Sequence, residues 1–150
     1  MPIERSAGII LFRETSDGRR YLIIRSSRTD SEIAKKKTVK EFWDFPKGIL
    51  EAGESGLDAA KREAKEEVGI EDFVLFPNFK KTVQYFTRRD GKPIPKFVAM
   101  FLAKTEIEEA KLSWEHDAYK WLPYDEAREH VTLPQMKDTI EAAEIFLNTK

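Results

Sequence analysis

Glu63, Glu66 and Glu67 are the residues most able to do chemistry. They are spaced i, i+3, i+4. On an α-helix turning ~100° per residue, they fall inside an arc of roughly 100°. Leu57, Ala60, Ala64 and Val68 form a neighbouring apolar stripe, so the carboxylates lie beside the buried face rather than opposite it. Like charges at i,i+4 destabilise an exposed helix by roughly 0.2–0.5 kcal/mol per pair, and partial burial raises that cost. Arg62, four residues before Glu66, can neutralise one carboxylate. A hard divalent cation would neutralise the rest. Magnesium and manganese prefer oxygen ligands, and Mg²⁺ keeps several waters while it bridges to phosphate. For three glutamates alone, the plain alternative is a solvated helix laced with Glu–Lys and Glu–Arg pairs.

The flanking residues decide between the two. Gly48, Glu54, Arg62, Glu63, Glu66, Glu67 and Gly69 stand in the pattern G-x5-E-x7-R-E-U-x-E-E-x-G-U, where U is a bulky apolar residue. This stretch resembles the Nudix box, the loop–helix–loop of the Nudix hydrolases. Every fixed letter matches. The one soft departure is Ala64, smaller than the usual aliphatic there, which predicts closer packing of helix on sheet.

The resemblance implies an α/β fold, a Nudix-type α/β/α sandwich with a mixed sheet, and hydrolysis of a nucleoside diphosphate linked to another group with Mg²⁺ (or Mn²⁺). It makes Glu63, Glu66 and Glu67 metal-binding carboxylates, joined by the Gly48 carbonyl. It pairs Glu54 with Arg62, tethering loop to helix. One carboxylate is expected to orient or deprotonate the attacking water, and Glu63 is the candidate for that role.

The elements that must position this helix are readable in outline. Residues 7–12 read as a buried strand, with a turn at Ser16-Asp17-Gly18 and a partner strand at 21–24. Residues 26–41, with Lys35, Lys36 and Lys37, read as a loop. Those lysines are either a solvated cluster or an attractor of polyphosphate. Residues 43–53 read as a loop, and 55–68 as a helix capped by Ser55 and stopped by Gly69. Residues 73–79, 82–86, 97–102 and 119–122 are strand-like, with a turn at Asp90-Gly91. Residues 124–131 and 134–147 read as helices. No repeat or linker divides the chain, so residues 1–150 are read as one domain.

Composition narrows the function further. The net charge of −1 provides no global basic field for nucleic acid, and no stable nucleic-acid partner is expected. Without cysteine there is no disulfide, thiolate metal site or cysteine nucleophile, and two histidines argue against a histidine-only zinc site. The first five residues lack signal-peptide character, and no apolar run approaches the ~20 residues of a membrane span. A cytoplasmic monomer with no membrane contact is the expectation.

The resemblance extends past the box. Residues 7–12, 43–48 and 113–122, and the start of the last helix at Leu133-Pro134-Gln135-Met136, are similar to the asymmetrical diadenosine tetraphosphate hydrolases. Glu115-His116-Asp117-Ala118-Tyr119-Lys120-Trp121-Leu122 matches that group's E-H-x-x-Y-x-W-L element. Residues 28–40 depart most. The resemblance implies that Tyr85 and Tyr119 stand where adenine is bound. Aromatic stacking on a base contributes about 1–3 kcal/mol, though either tyrosine also fits a sheet core. Trp43 is read as a stacking residue or as core, and Trp121 as core. Lys47 and Lys96 are expected to reach phosphate. Glu115 is a further candidate metal carboxylate, and His116 either handles a proton or bonds across its loop.

The expected reaction is water attack on a bridge phosphorus, giving ATP and AMP from diadenosine tetraphosphate. Within the same chemistry, an RNA 5′-pyrophosphohydrolase or a hydrolase of nucleotide sugars or inositol pyrophosphates is the alternative. A non-catalytic, nucleotide-binding Nudix regulator is a third reading, and the complete set of carboxylates argues against it.

Overall fold

A computed structural model of the chain describes residues 2–26 and 41–149. Lys35, Lys36 and Lys37, expected in a loop, lie outside the described residues.

Strands β1 (Glu4–Thr15) and β2 (Gly18–Ser26) form the first hairpin. They pair from Thr15↔Gly18 to Phe12↔Tyr21. The alternation of their side chains builds two cores. Ile9, Leu11, Leu22 and Ile24 face one side of the sheet, and Ile10, Phe12, Tyr21 and Ile23 face the other. Beyond Tyr21 the two strands part, and residues 43–49 fill the fork between them. Strand β3 (Trp43–Asp44) pairs with β2, and β4 (Lys47–Ile49) pairs with β1. The Ile9 N–H donates to the Pro46 carbonyl between them at 3.0 Å.

This corrects the expectation of a loop over 43–53. Strands of two and three residues carry no period that a sequence can display, and here the open edges of β1 and β2 impose the pairing. Residues 73–79 differ in the opposite sense. Only β5 (Val74–Leu75) is strand, because Pro77 follows and residues 76–79 close a turn, Phe79 N–H to Phe76 carbonyl.

Strands β6 (Lys81–Arg89) and β7 (Lys92–Lys104) form a long hairpin around Asp90 and Gly91, both at positive φ. Strand β7 lies parallel to β1 from Glu4↔Lys96 to Phe12↔Lys104. Pro93 and Pro95 precede that stretch, so their missing N–H groups break no bond to β1. Strand β8 (His116–Leu122) pairs with the outer edge of β2. Among the described residues the sheet has eight strands.

Helix α1 (Gly56–Val68) covers one face. Ala59, Ala60, Ala64 and Val68 meet Ala7, Ile9, Leu11 and Ile24 there. Ala64 is wholly buried, consistent with the close approach its small side chain allows. Helices α2 (Tyr124–His130) and α3 (Pro134–Asn148) cover the other face. Met136, Ile140, Ala143 and Leu147 pack there on the side that bears Phe12, Tyr21 and Met100. Glu144 fastens α3 to the hairpin, accepting from the Tyr21 hydroxyl at 2.6 Å and from Arg19 at 3.1 Å. The result is the helix–sheet–helix sandwich with a mixed sheet expected from the sequence.

The fork depends on Gly8. A Cβ there would lie 2.5 Å from Lys47 Cβ, 2.5 Å from the Pro46 carbonyl oxygen and 2.9 Å from Met100 Sδ. The Pro46 carbonyl cannot withdraw without giving up its bond to Ile9. Gly8→Ala is therefore expected to destabilise the protein by at least the ~1–3 kcal/mol of an overpacked core. That corresponds to roughly 2–4 °C of melting temperature per kcal/mol for a chain of this size. Thermal melts followed by circular dichroism check it. A variant that melts with the parent would mean that the segment sits more loosely in the fork.

Candidate active site

The helix that carries the carboxylates is set at both ends by its own sequence. Ser55 Oγ accepts from the Asp58 N–H at 3.1 Å, and Gly69 closes the last turn at φ 69°. Arg62 is the hub between helix and loop. Its Nε donates to Glu54 Oε2 at 2.7 Å and its Nη2 to Glu54 Oε1 at 3.0 Å, a forked pair. Nη2 also reaches the Ile49 carbonyl at 3.1 Å, and Nη1 reaches Glu63 at 2.7 Å and Glu66 at 3.2 Å. Arg62, and then the Glu51 N–H, hold the Glu54 carboxyl below its usual range. The expected Glu54–Arg62 tether is thus present, and it extends into the helix carboxylates.

Glu63 and Glu67 are buried, whereas Glu66 points outward to Arg62. The Glu63 carboxyl lies against Gly48, whose Cβ, if it had one, would fall 2.1 Å from Glu63 Oε2. Glu67 Oε1 accepts the Lys47 N–H at 3.2 Å. Burial first, and the neighbouring Glu63 carboxyl second, push Glu67 up to about 9. Two carboxylates drawn from water side by side share a proton when nothing else neutralises them. A bound cation answers the same need, so this all-oxygen pair fits a hard divalent metal. Among the described residues, no three acidic or histidine groups yet converge as a finished metal cage.

The fork opens into a cleft of about 140 Å³ lined by Asp44, Phe45, Lys47, Glu67 and His116. Lys47 Nζ lies 3.2 Å from Asp44 Oδ2. Burial pulls Lys47 down, but Asp44 and the Tyr85 hydroxyl outweigh it and leave the ammonium above its ordinary value. Lys96 stands beside them, its Nζ 5.9 Å from the Tyr85 ring centre and 3.2 Å from Glu4 Oε1. The structure therefore brings Lys47, Lys96 and Tyr85 together. His116 Nδ1 is buried with no hydrogen-bond partner, and burial lowers the imidazole's pKa. The His116 loop is tied to the end of α1 by the Ser113 N–H, which donates to the Glu67 carbonyl at 3.2 Å.

Other expected residues fall elsewhere. Tyr119 packs on the α1 side of the sheet and Tyr85 on the opposite side, so the two do not sandwich one ring. Trp43 is 4% exposed. It lies against Arg25, Lys120 and His130, and its Nε1 donates to Glu41. Core packing accounts for it. Trp121 lies on the α1 side under Arg13, its Nε1 donating to the Glu108 carbonyl at 2.7 Å. Glu115 sits in the loop beyond α1, its N–H bonded to Ser113 Oγ at 3.3 Å. Two carboxylates of this region, Asp44 and Glu4, were not singled out from the sequence. The strand register reveals Glu4 as the counter-charge to Lys96, and the short turn between β3 and β4 sets Asp44 against Lys47, three residues on.

A family model for the NUDIX domain matches residues 2–143. The chain belongs to the Nudix family. As a Nudix hydrolase it is similar to the asymmetrical bis(5'-nucleosyl)-tetraphosphatase of Rattus norvegicus, with 34% identity over 149 residues and 95% of each chain covered. Its fold superposes on the C. elegans Ap4A hydrolase in a binary complex with a TM-score of 0.82, at 27% identity, covering 98% of this chain and 99% of that one. The RNA pyrophosphohydrolase of Nitratiruptor sp. is 29% identical over 121 residues, covering 73% of this chain and 78% of that one. No helix among the described residues is long and apolar enough to cross a membrane.

Proposed function

We propose that this Nudix hydrolase cleaves dinucleoside polyphosphates, converting diadenosine tetraphosphate to ATP and AMP with Mg²⁺ or Mn²⁺. One juxtaposition carries the reading. A buried acidic pair, Glu63 and Glu67, lies against strand β4, whose Lys47 side chain meets Tyr85 and, beside it, Lys96. Similarity over nearly the whole chain to the rat tetraphosphatase supports the same substrate.

Glu63 and Glu67 would hold the metal, with Glu66 and the Gly48 carbonyl completing the set and Glu115 within the adjoining loop. When bound, the metal polarises phosphoryl oxygens and lowers the pKa of water. The chain's own groups do the rest. Lys47 and Lys96 bind the bridge phosphates, and Tyr85 offers a face for one base. Tyr119 takes a base on the other side of the sheet. Glu63 orients the water and accepts its proton. The new bond joins water oxygen to phosphorus, and the bond between that phosphorus and its bridging oxygen breaks. The leaving phosphate departs as an anion, and His116 stands at the cleft to exchange a proton with it.

Similarity to the Nitratiruptor enzyme favours removal of pyrophosphate from RNA 5′ ends as a second reading. Incubation with Mg²⁺ and a panel of dinucleoside polyphosphates and 5′-triphosphorylated RNA in ¹⁸O water separates the two. ATP and AMP from diadenosine tetraphosphate, with label in one product only, is the expected result. A kcat/KM about a hundredfold higher on RNA, the weight of ~2.8 kcal/mol in transition-state binding, would replace the first reading with the second.

A further inference from the structure

We propose that Glu4 is a positioning residue that holds the Lys96 ammonium beside Lys47, so that Lys96 and Lys47 grip the substrate's phosphates as a pair. The proposal rests on the reading of Lys96 as a phosphate contact. Glu4 is the first residue of β1. Its neighbour in the parallel register is Lys96, which in turn lies opposite Tyr85. All three therefore stand on one face. The Glu4 carboxylate is buried, only 7% of its side chain being exposed, and lies 3.2 Å from Lys96 Nζ. Arg89 of β6 binds the other carboxylate oxygen.

A buried carboxylate at the start of a strand is costly without a compensating charge. The identity of its partner shows what it does. Lys96 is itself largely buried, and a second ammonium, Lys47, is close enough to act on it. Burial first, and Lys47 second, press Lys96 toward neutrality, and Glu4 is the nearest group opposing both. Asp44 gives Lys47 the same support from the fork. Two like charges thus stand as neighbours, each steadied by its own carboxylate before any anion arrives. The ion pair with Glu4 engages one side of an ammonium that carries three N–H donors, so donors remain to meet phosphate.

A merely structural Glu4 would lower stability without acting through Lys96, and a double-mutant cycle separates the two roles. KM and kcat for diadenosine tetraphosphate with Mg²⁺ are measured for Glu4→Gln, Lys96→Met and the double variant. Lys96→Met is expected to raise KM about tenfold or more, the size of one charged hydrogen bond. Glu4→Gln is expected to raise KM several-fold with kcat little changed, and Glu4→Asp to restore part of the loss. The penalty of Glu4→Gln should grow from about pH 7 to pH 9. Without Glu4, Lys96 faces Lys47 and Arg89 with only Asp44 and neutral Tyr85 in support, and loses its proton sooner. The double variant should be no worse than Lys96→Met. An undiminished effect of Glu4→Gln in the Lys96→Met background overturns the proposal, as does an unchanged KM in Glu4→Gln alone. An unchanged KM in Lys96→Met overturns it at its premise, by removing Lys96 from substrate binding.

Discussion

Glu67→Gln is expected to cut kcat by roughly 10²–10⁴-fold, the range for losing a group that acts on the reacting proton or its metal-bound equivalent, and to leave the fold intact. The same substitution should change how stability depends on pH. In the metal-free protein, burial and then Glu63 hold Glu67 up at about 9, against an ordinary value of 4.5. Between those values the folded chain keeps a proton that the unfolded chain has given up. The contribution to stability is therefore complete below about 4.5 and is lost as pH rises through about 9. Magnesium replaces the proton. Its stabilising effect should be small at about pH 5 and large at about pH 8, with proton release on binding. Glu67→Gln has no such proton, so both its metal-free pH slope and its magnesium response should shrink. Melting curves in EDTA and in Mg²⁺, from about pH 5 to pH 9, read all three effects. A parent protein whose metal-free stability is flat across that range, with the same magnesium shift throughout, would remove the acidic pair from metal binding.

The box was legible because its logic is local. Ser55, the glutamate spacing and Gly69 act within single turns of one helix, and their geometry follows from the helix itself. Arg62 was legible for the same reason, as a partner of Glu66 four residues on, whereas its pairing with Glu54 was implied by the family resemblance. The group of Lys47, Lys96 and Tyr85 was legible only in part. Its members could be nominated, but their meeting depends on the fork and on the parallel pairing of β1 with β7, whose partners stand some ninety residues apart. Glu4 was invisible for that reason. A carboxylate at a strand terminus looks like solvent-facing polarity until the register sets it against a buried lysine. Tyr85 and Tyr119 show the limit from another side. Both sit in strands, yet which face each occupies is a matter of register, and a shift of one residue reverses it.

Gly48→Ala should separate the placement of Glu63 from the stability of the fold. Gly48 is paired to Ala7 in β4, and its Cα faces the Glu63 carboxyl. An added methyl would fall 2.1 Å from Oε2, 2.2 Å from Cδ and 2.7 Å from Oε1 of Glu63. Every one of these atoms belongs to the end of a flexible side chain, so the collision is relieved by turning the glutamate away rather than by moving the strand. This is the opposite of Gly8, where the Pro46 backbone stands in the way. The expected outcome is a melting temperature close to the parent's together with a loss of activity of about 10²-fold or more, as a misplacement of about 1 Å at a catalytic group can cost. Glu63→Gln serves as the reference, because displacing the carboxylate and neutralising it should then be nearly equivalent. The double variant Gly48→Ala/Glu63→Gln should lose little beyond either single change. Melting curves and kcat/KM for the three variants test it. A Gly48→Ala protein with full activity would show that the Glu63 carboxyl works from some position other than the one it holds against β4.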